Sequence, residues 1–84
     1  MMRAAYFAWV RERVGVPAEE IAPPPEIVTV GDLMAWLTGR GDNYAHAFAN
    51  ARTIRAALDK RHVKHDAPIA GAREVAFFPP MTGG

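Results

Sequence analysis

Few residues in this 84-residue chain are of a type that does chemistry. Ser, Cys and Gln are absent, which removes two common nucleophiles, thiolate metal ligands, disulfides and iron–sulfur clusters together. The three histidines, His46, His62 and His65, stand in no pattern with Asp that suggests a catalytic triad. The spacing His62-x-x-His65 resembles a metal pair, but on a short strand those two positions face opposite sides, so no metal is expected. Arg40-Gly41-Asp42 spells an adhesive tripeptide and reads equally as a helix–helix loop ending in an N-cap. The chain acting alone is therefore not expected to be an enzyme.

What remains is the backbone end, Met81-Thr82-Gly83-Gly84. Glycine has no Cβ, so Gly83 and Gly84 can pass through a channel too narrow for other residues. Four extended residues reach about 14 Å, the depth of a pocket in another protein. A carboxylate delivered in this way can be activated by ATP as a mixed acyl-phosphate anhydride and then attacked. The alternative is an ordinary frayed terminus. Pro79-Pro80 cannot donate to a sheet, so it ends any ladder and turns Met81–Gly84 away from the body.

The elements that must present this tail follow from periodicity. Met2–Phe7 is short, apolar and partly aromatic, a strand. Ala8–Gly15 then reads as a short helix with Val10 and Val14 on one face, Gly15 at its end and Pro17 preventing resumption. Pro23-Pro24-Pro25 confines any strand in 19–28 to a short, irregular edge piece. Thr29 and Asp32 form a capping box ahead of the stripe Val30, Leu33, Met34, Leu37, and Gly39 and Gly41 end that helix. Asp42 is placed to cap a second short helix with Tyr44 and Phe48 paired at i, i+4. From Thr53 the period becomes two, with Ile54, Ala56 and Leu58 on one face. Lys60-Arg61 reads as a turn, His62–His65 as a brief return strand, and Asp66-Ala67-Pro68 as a loop over Ile69. Gly71 opens the last turn, and Glu74–Phe78 forms the final strand, with Val75-Ala76-Phe77-Phe78 apolar on consecutive positions, as in a central strand. One sheet with the helices on one face satisfies these stripes: an α+β two-layer roll in a single domain, 1–80, followed by the tail 81–84.

Composition narrows the partners. The formal net charge is +1, with four arginines against six acids in residues 1–50 and six Lys/Arg against three acids in 51–84. That balance is too weakly basic for a nucleic-acid binder of this size, and Lys60–His65 reads as a solvated hairpin whose Lys60, Arg61 and Lys64 are available to acids on a partner. The apolar run between Arg3 and Arg11 is too short for a signal peptide or membrane span. A cysteine-free chain without such segments is expected in the cytoplasm, with no membrane partner.

Two stretches carry a resemblance. Phe7-Ala8-Trp9-Val10-Arg11-Glu12-Arg13-Val14-Gly15 is similar to the opening F-A-x-[VL]-R-E-x-x-G of the molybdopterin synthase small subunits, sulfur carriers of the ubiquitin-like β-grasp family. Glu74-Val75-Ala76-Phe77-Phe78-Pro79-Pro80-Met81-Thr82-Gly83-Gly84 is similar to that family's ending E-V-A-[FI]-x-P-P-[VM]-[SA/T]-G-G. The chain departs from the pattern at Gly71-Ala72-Arg73, where the family has D-G-D, and in its proline-rich 19–28 segment.

The resemblance implies a β-grasp roll with a mixed sheet and a flexible Gly-Gly tail. It implies a carrier with no bound cofactor and no metal, whose Gly84 is adenylated by an ATP- and Mg²⁺-dependent activating enzyme, an adenylyltransferase. A sulfurtransferase then converts the acyl-adenylate to a thiocarboxylate. The tail (Met81, Thr82, Gly83, Gly84) threads into the synthase large subunit, which supplies the catalytic lysines, and sulfur passes to cyclic pyranopterin monophosphate. A monomer when free and a two-plus-two heterotetramer at work are implied by the resemblance alone. The docking surface implied near the tail matches Phe7, Phe77, Pro79, Pro80 and Arg11. Of the adjacent phenylalanines, Phe77 is expected outward, in parity with Val75 and Pro79, and Phe78 inward. The alternatives are a carrier for another pathway, of the thiazole type, and a ubiquitin-like protein modifier.

Overall fold

The computed structural model describes residues 1–80; the tail expectations for Met81, Thr82, Gly83 and Gly84 lie outside the described residues. In chain order the elements are β1 (Met2–Tyr6), α1 (Ala8–Val14), β2 (Ala18–Ile21), α2 (Val30–Thr38), α3 (Asp42–Ala47), a 3₁₀ turn (Ala51–Thr53), β3 (Arg55–Leu58), β4 (Arg61–Val63) and β5 (Glu74–Phe78). The five strands form one mixed sheet in the order β2-β1-β5-β3-β4. Only the β1–β5 pair is parallel. The last strand of the chain is thus inserted at the centre of the sheet, the position its unbroken apolar run suggests. β2, stopped by the proline run, is an edge.

Local sequence explains most of the helix boundaries. Thr29 Oγ1 accepts from the Asp32 amide, and Asp32 Oδ2 accepts from the Thr29 and Val28 amides, each at 3.1 Å. The Thr29 and then the Val28 amide hold the Asp32 carboxyl below its ordinary value, because both bonds favour the ionised form. Behind this cap Val30, Leu33, Met34 and Leu37 are all buried. Gly15 ends α1 in the left-handed region at φ +101°, its amide donating to Arg11 O at 2.8 Å. The expected cap at Asp42 is corrected: Gly41 is the N-cap, with no side-chain hydrogen bond, and Asp42 is the first helical residue. There its charge favours the positive end of the helix without capping it.

The hairpin turn also falls one residue earlier than expected. Leu58 pairs with Arg61, so the loop is Asp59-Lys60, with φ +48° and +71°. A two-residue loop with both residues left-handed follows the right-handed twist of its strands, and glycine is its usual second residue. Lys60→Gly is expected to raise stability by about 0.5–1 kcal/mol, read as a higher urea midpoint at unchanged slope. Asp59 has its own role: Oδ1 accepts from the Arg73 and Glu74 amides at 2.9 and 3.0 Å, and its amide donates to Glu74 O at 3.0 Å. This clamp fixes where β5 begins and stands where the chain lacks the D-G-D turn.

One core lies between the sheet and the helices. Tyr6, Val75 and Phe77 face it from β1 and β5, with Val10, Leu33, Leu37 and Phe48 opposite. The Phe48 ring meets Phe77 edge-on at 5.1 Å between centroids. Phe77 is 0% exposed, which corrects the expectation that it faces outward. Its parity with Val75 holds, but Val75 itself points under the helices, so the pair goes inward together and Phe78 turns to the other face. At the sheet edge Glu19 Oε2 accepts from the Tyr6 and Tyr44 hydroxyls at 2.8 and 2.7 Å, with Arg40 Nη1 at 3.9 Å. Burial, and then the hydrogen bond to Glu19, push the Tyr6 hydroxyl far above its ordinary value, so it stays a donor.

Candidate functional site

The sheet face away from the helices is uncovered, and side-chain alternation sorts its residues into three bands. Farthest from the tail is a charged band: Glu20, Arg3 and Glu74 are register neighbours across β2, β1 and β5. Arg3 Nε lies 3.5 Å from Glu74 Oε2. Next comes a floor of small residues, because Ala18, Ala5, Ala76 and Ala57 are paired in turn across β2, β1, β5 and β3, with His62 beyond them on β4. Nearest the tail is an aromatic band. Phe78 pairs with Arg55, and the amide of Phe7 donates to Phe77 O at 3.0 Å, which carries the β1–β5 ladder one residue further and sets Phe7 beside Phe78.

Phe7 is 48% exposed although its large ring is apolar. Phe78 is half-buried, and the His62 ring tilts against it at 5.1 Å. β5 ends at this band, and Pro79 and Pro80, both half-buried, carry the chain out beside it. Phe7 and Arg55 thus flank Phe78 from the two neighbouring strands, with His62 against its ring, at the end of β5. A shallow floor with a raised aromatic rim is the shape that receives a protruding partner side chain, and uncovered aromatic rings at such a rim gain most on being covered.

The structure unites some of the sequence-derived candidates and separates others. Phe7, Pro79 and Pro80 are brought together. Phe77 is replaced by Phe78. Arg11 is exposed on α1, the layer behind the sheet, where its backbone serves the helix: its amide donates to Phe7 O at 3.4 Å and its carbonyl accepts from Gly15. Lys60, Arg61 and Lys64 are all exposed around the β3–β4 hairpin. His65 is engaged elsewhere, with Nε2 2.8 Å from Ile54 O, so it shares no site with His62. Arg40 of the adhesive-looking tripeptide lies over the Trp36 and Tyr44 rings at 5.3 and 5.2 Å, besides its contact with Glu19.

Among the described residues no three of His, Cys, Asp and Glu converge as a metal would require. A cleft of about 470 Å³ lies at the opposite end of the sheet, against Met1, Pro23, Pro24, Pro25, Val28 and Ile69. No ionisable side chain lines it. Sequence reading passed over Arg55 and the alanine floor, and weighed His62 only as a metal ligand. Only the register of all five strands collects them, although the alternation of β1 from Arg3 to Phe7 already marks one side of the sheet.

Comparison with known proteins gives the fold its family. Over all 84 residues, and the whole of each relative, the chain is 38% identical to the molybdopterin synthase sulfur carrier subunit of Escherichia coli (strain K12). It is 29% identical, again end to end, to the subunit of the same name in Haemophilus influenzae. The crystal structure of SAMP1 from Haloferax volcanii superposes with a TM-score of 0.72 at 23% identity, covering 99% of this chain and 98% of that one, and shows the same ubiquitin-like β-grasp fold. Residues 4–84 match the ThiS family, and the chain belongs to it.

Proposed function

We propose that this chain is a sulfur carrier in molybdenum-cofactor biosynthesis, the small, non-catalytic subunit of a molybdopterin synthase. The observation that supports this most is the end-to-end likeness to two curated sulfur carrier subunits, with neither chain overhanging the other. In this reading an activating enzyme joins the Gly84 carboxylate to the α-phosphorus of ATP, and pyrophosphate leaves; Mg²⁺ belongs to that enzyme. A sulfur nucleophile delivered by a sulfurtransferase attacks the acyl carbon and AMP departs, leaving a thiocarboxylate. Inside the large subunit the thiocarboxylate sulfur attacks a side-chain carbon of cyclic pyranopterin monophosphate, forming a C–S bond as a C–O bond at that carbon breaks and its oxygen leaves as phosphate or water. A second loaded carrier repeats the transfer at the neighbouring carbon. Hydrolysis of the resulting acyl–sulfur bond leaves sulfur on the pterin and restores the carboxylate.

The fold's part is presentation. β5 is held by ladders on both sides and by the Asp59 clamp, so the tail departs from the most constrained strand of the sheet. Pro79-Pro80 limits the conformations the tail base samples, which lowers the ordering cost of insertion. The aromatic rim of Phe7 and Phe78 and the alanine floor are the surface on which the large subunit docks, with Met81, Thr82 and Gly83 threading Gly84 to the pterin. No step needs a side-chain nucleophile or a metal from this chain. The work belongs in a reducing cytoplasm, which a cysteine-free carrier suits.

Reconstitution tests the assignment. Chain carrying a C-terminal thiocarboxylate, mixed with a molybdopterin synthase large subunit and cyclic pyranopterin monophosphate, is expected to form the dithiolene product, and the carboxylate form is expected to form none. Sulfur transfer only to a thiazole precursor would reassign the pathway. Gly84-dependent conjugates that resist reducing agent, with no sulfur transfer, would make the chain a protein modifier instead.

A further inference from the structure

Ala8 is the first residue of α1 and lies at φ +54°, in the left-handed region that residues with a Cβ normally leave to glycine. It stands between two fixed points. On one side, Phe7 is fully extended at φ −129°, ψ 152°, with its amide bonded to Phe77 O at 3.0 Å. On the other, Val10 and Val14 are buried under the sheet. The chain must therefore leave the sheet plane and enter the helical layer within a single residue.

Had the strand curled into the helix through ordinary dihedrals, Phe7 would have followed it out of the ladder. With the whole reversal taken at Ala8, Phe7 stays in β register. By alternation its ring falls on the uncovered face beside Phe78. The Phe7 carbonyl is held as well, accepting from the Val10 and Arg11 amides at 3.2 and 3.4 Å. As the N-cap, Phe7 has no side-chain atom that can cap, so its ring makes no hydrogen bond for the helix it precedes. Steric cost at one position, beside an exposed aromatic with no local duty, is the arrangement found where backbone is held for a function.

We infer that Ala8 is a positioning residue: its left-handed conformation holds the Phe7 ring in the docking rim at the base of the tail. The inference rests on the reading of the uncovered face as the surface that meets the large subunit.

Calorimetric titration of the large subunit with full-length carrier variants tests it. Ala8→Gly keeps the left-handed turn available and is expected to bind within about twofold of wild type. Ala8→Val, a β-branched residue that avoids this region, is expected to weaken binding about tenfold. Phe7→Ala should weaken binding by a similar factor of about ten. Adding Ala8→Val to Phe7→Ala should then cost less than about twofold more, because the ring it positions is gone. Circular dichroism and thermal melts establish that each variant is folded under the assay conditions. If Ala8→Val does not fold, Ala8→Ser replaces it in the same cycle, with a smaller loss that must again vanish in the Phe7→Ala background. Losses that add independently would show that Ala8 acts only on stability, and would overturn the inference while leaving the sulfur-carrier reading intact. Failure of the wild-type chain to bind the large subunit would overturn both.

Discussion

Deleting Gly84 is expected to abolish sulfur transfer while leaving the folded domain unchanged. In the reconstituted synthase the truncated chain should give no dithiolene product above background, a loss of at least about 10³-fold, because the group that carries the sulfur is displaced by a whole residue and a shift of 1 Å already costs about a hundredfold. Its thermal midpoint should match wild type, since the described body ends its ladders at Phe78 and gains no hydrogen bond beyond it. Gly83→Val should also transfer poorly, but for a different reason. Its carboxylate remains available to activation in solution, while a branched side chain obstructs threading. The two variants therefore separate at the loading step: the truncated chain ends on Gly83, a residue short of the activating enzyme's reach, and is not expected to be loaded by it, whereas Gly83→Val keeps Gly84, can be loaded chemically and still fails with the large subunit.

The second large effect distinguishes adjacent phenylalanines. Phe77 is enclosed by Tyr6, Phe48 and the α2 stripe, so Phe77→Ala removes a ring and leaves a cavity. That change is expected to cost about 3–5 kcal/mol, a large share of the roughly 5–15 kcal/mol available to a small domain. A much lower urea midpoint, or failure to fold, is the outcome to look for. Phe78 sits half-buried on the other face with His62 as its ring neighbour. Phe78→Ala should cost less than about 1 kcal/mol in stability and weaken the large-subunit complex by about ten- to thirtyfold. Equal stability losses at the two positions would contradict the burial of one and the presentation of the other.

What could be read from the sequence was what local chemistry decides. The Thr29–Asp32 cap, the Gly15 stop, the four-residue stripe of α2 and the bounds of β5 each depend on neighbours within a few positions, and each stands where the residues place it. The tail-base candidates Phe7, Pro79 and Pro80 came from the family resemblance, and the register of β1 and β5 sets them at one end of the sheet. The facing of Phe77 was not legible. Alternation fixes only that Phe77 and Phe78 oppose each other, and which of them lies inside depends on where α2 and α3 settle.

The turn at Asp59-Lys60 was misplaced because its second residue is lysine, where glycine would have marked the left-handed position. Asp59 is tolerated there because its carboxylate is held by the start of β5, fourteen and fifteen residues on. Likewise Glu19 reads as a solvated acid on an edge strand, and only the fold brings the Tyr6 and Tyr44 hydroxyls to it. The alanine floor left no signal, since alanine suits core, helix and surface alike. It becomes a feature only when β1, β5 and β3 are laid side by side.

The central claim is that this fold presents Gly84 for loading with sulfur. Intact-protein mass spectrometry tests it most directly, after incubation of the chain with the activating enzyme, ATP, Mg²⁺ and a sulfide source. The expected result is a mass gain of one oxygen exchanged for sulfur, mapped to Gly84 by fragmentation and absent without ATP. An unchanged mass, under conditions where the same enzyme loads another carrier, would contradict it.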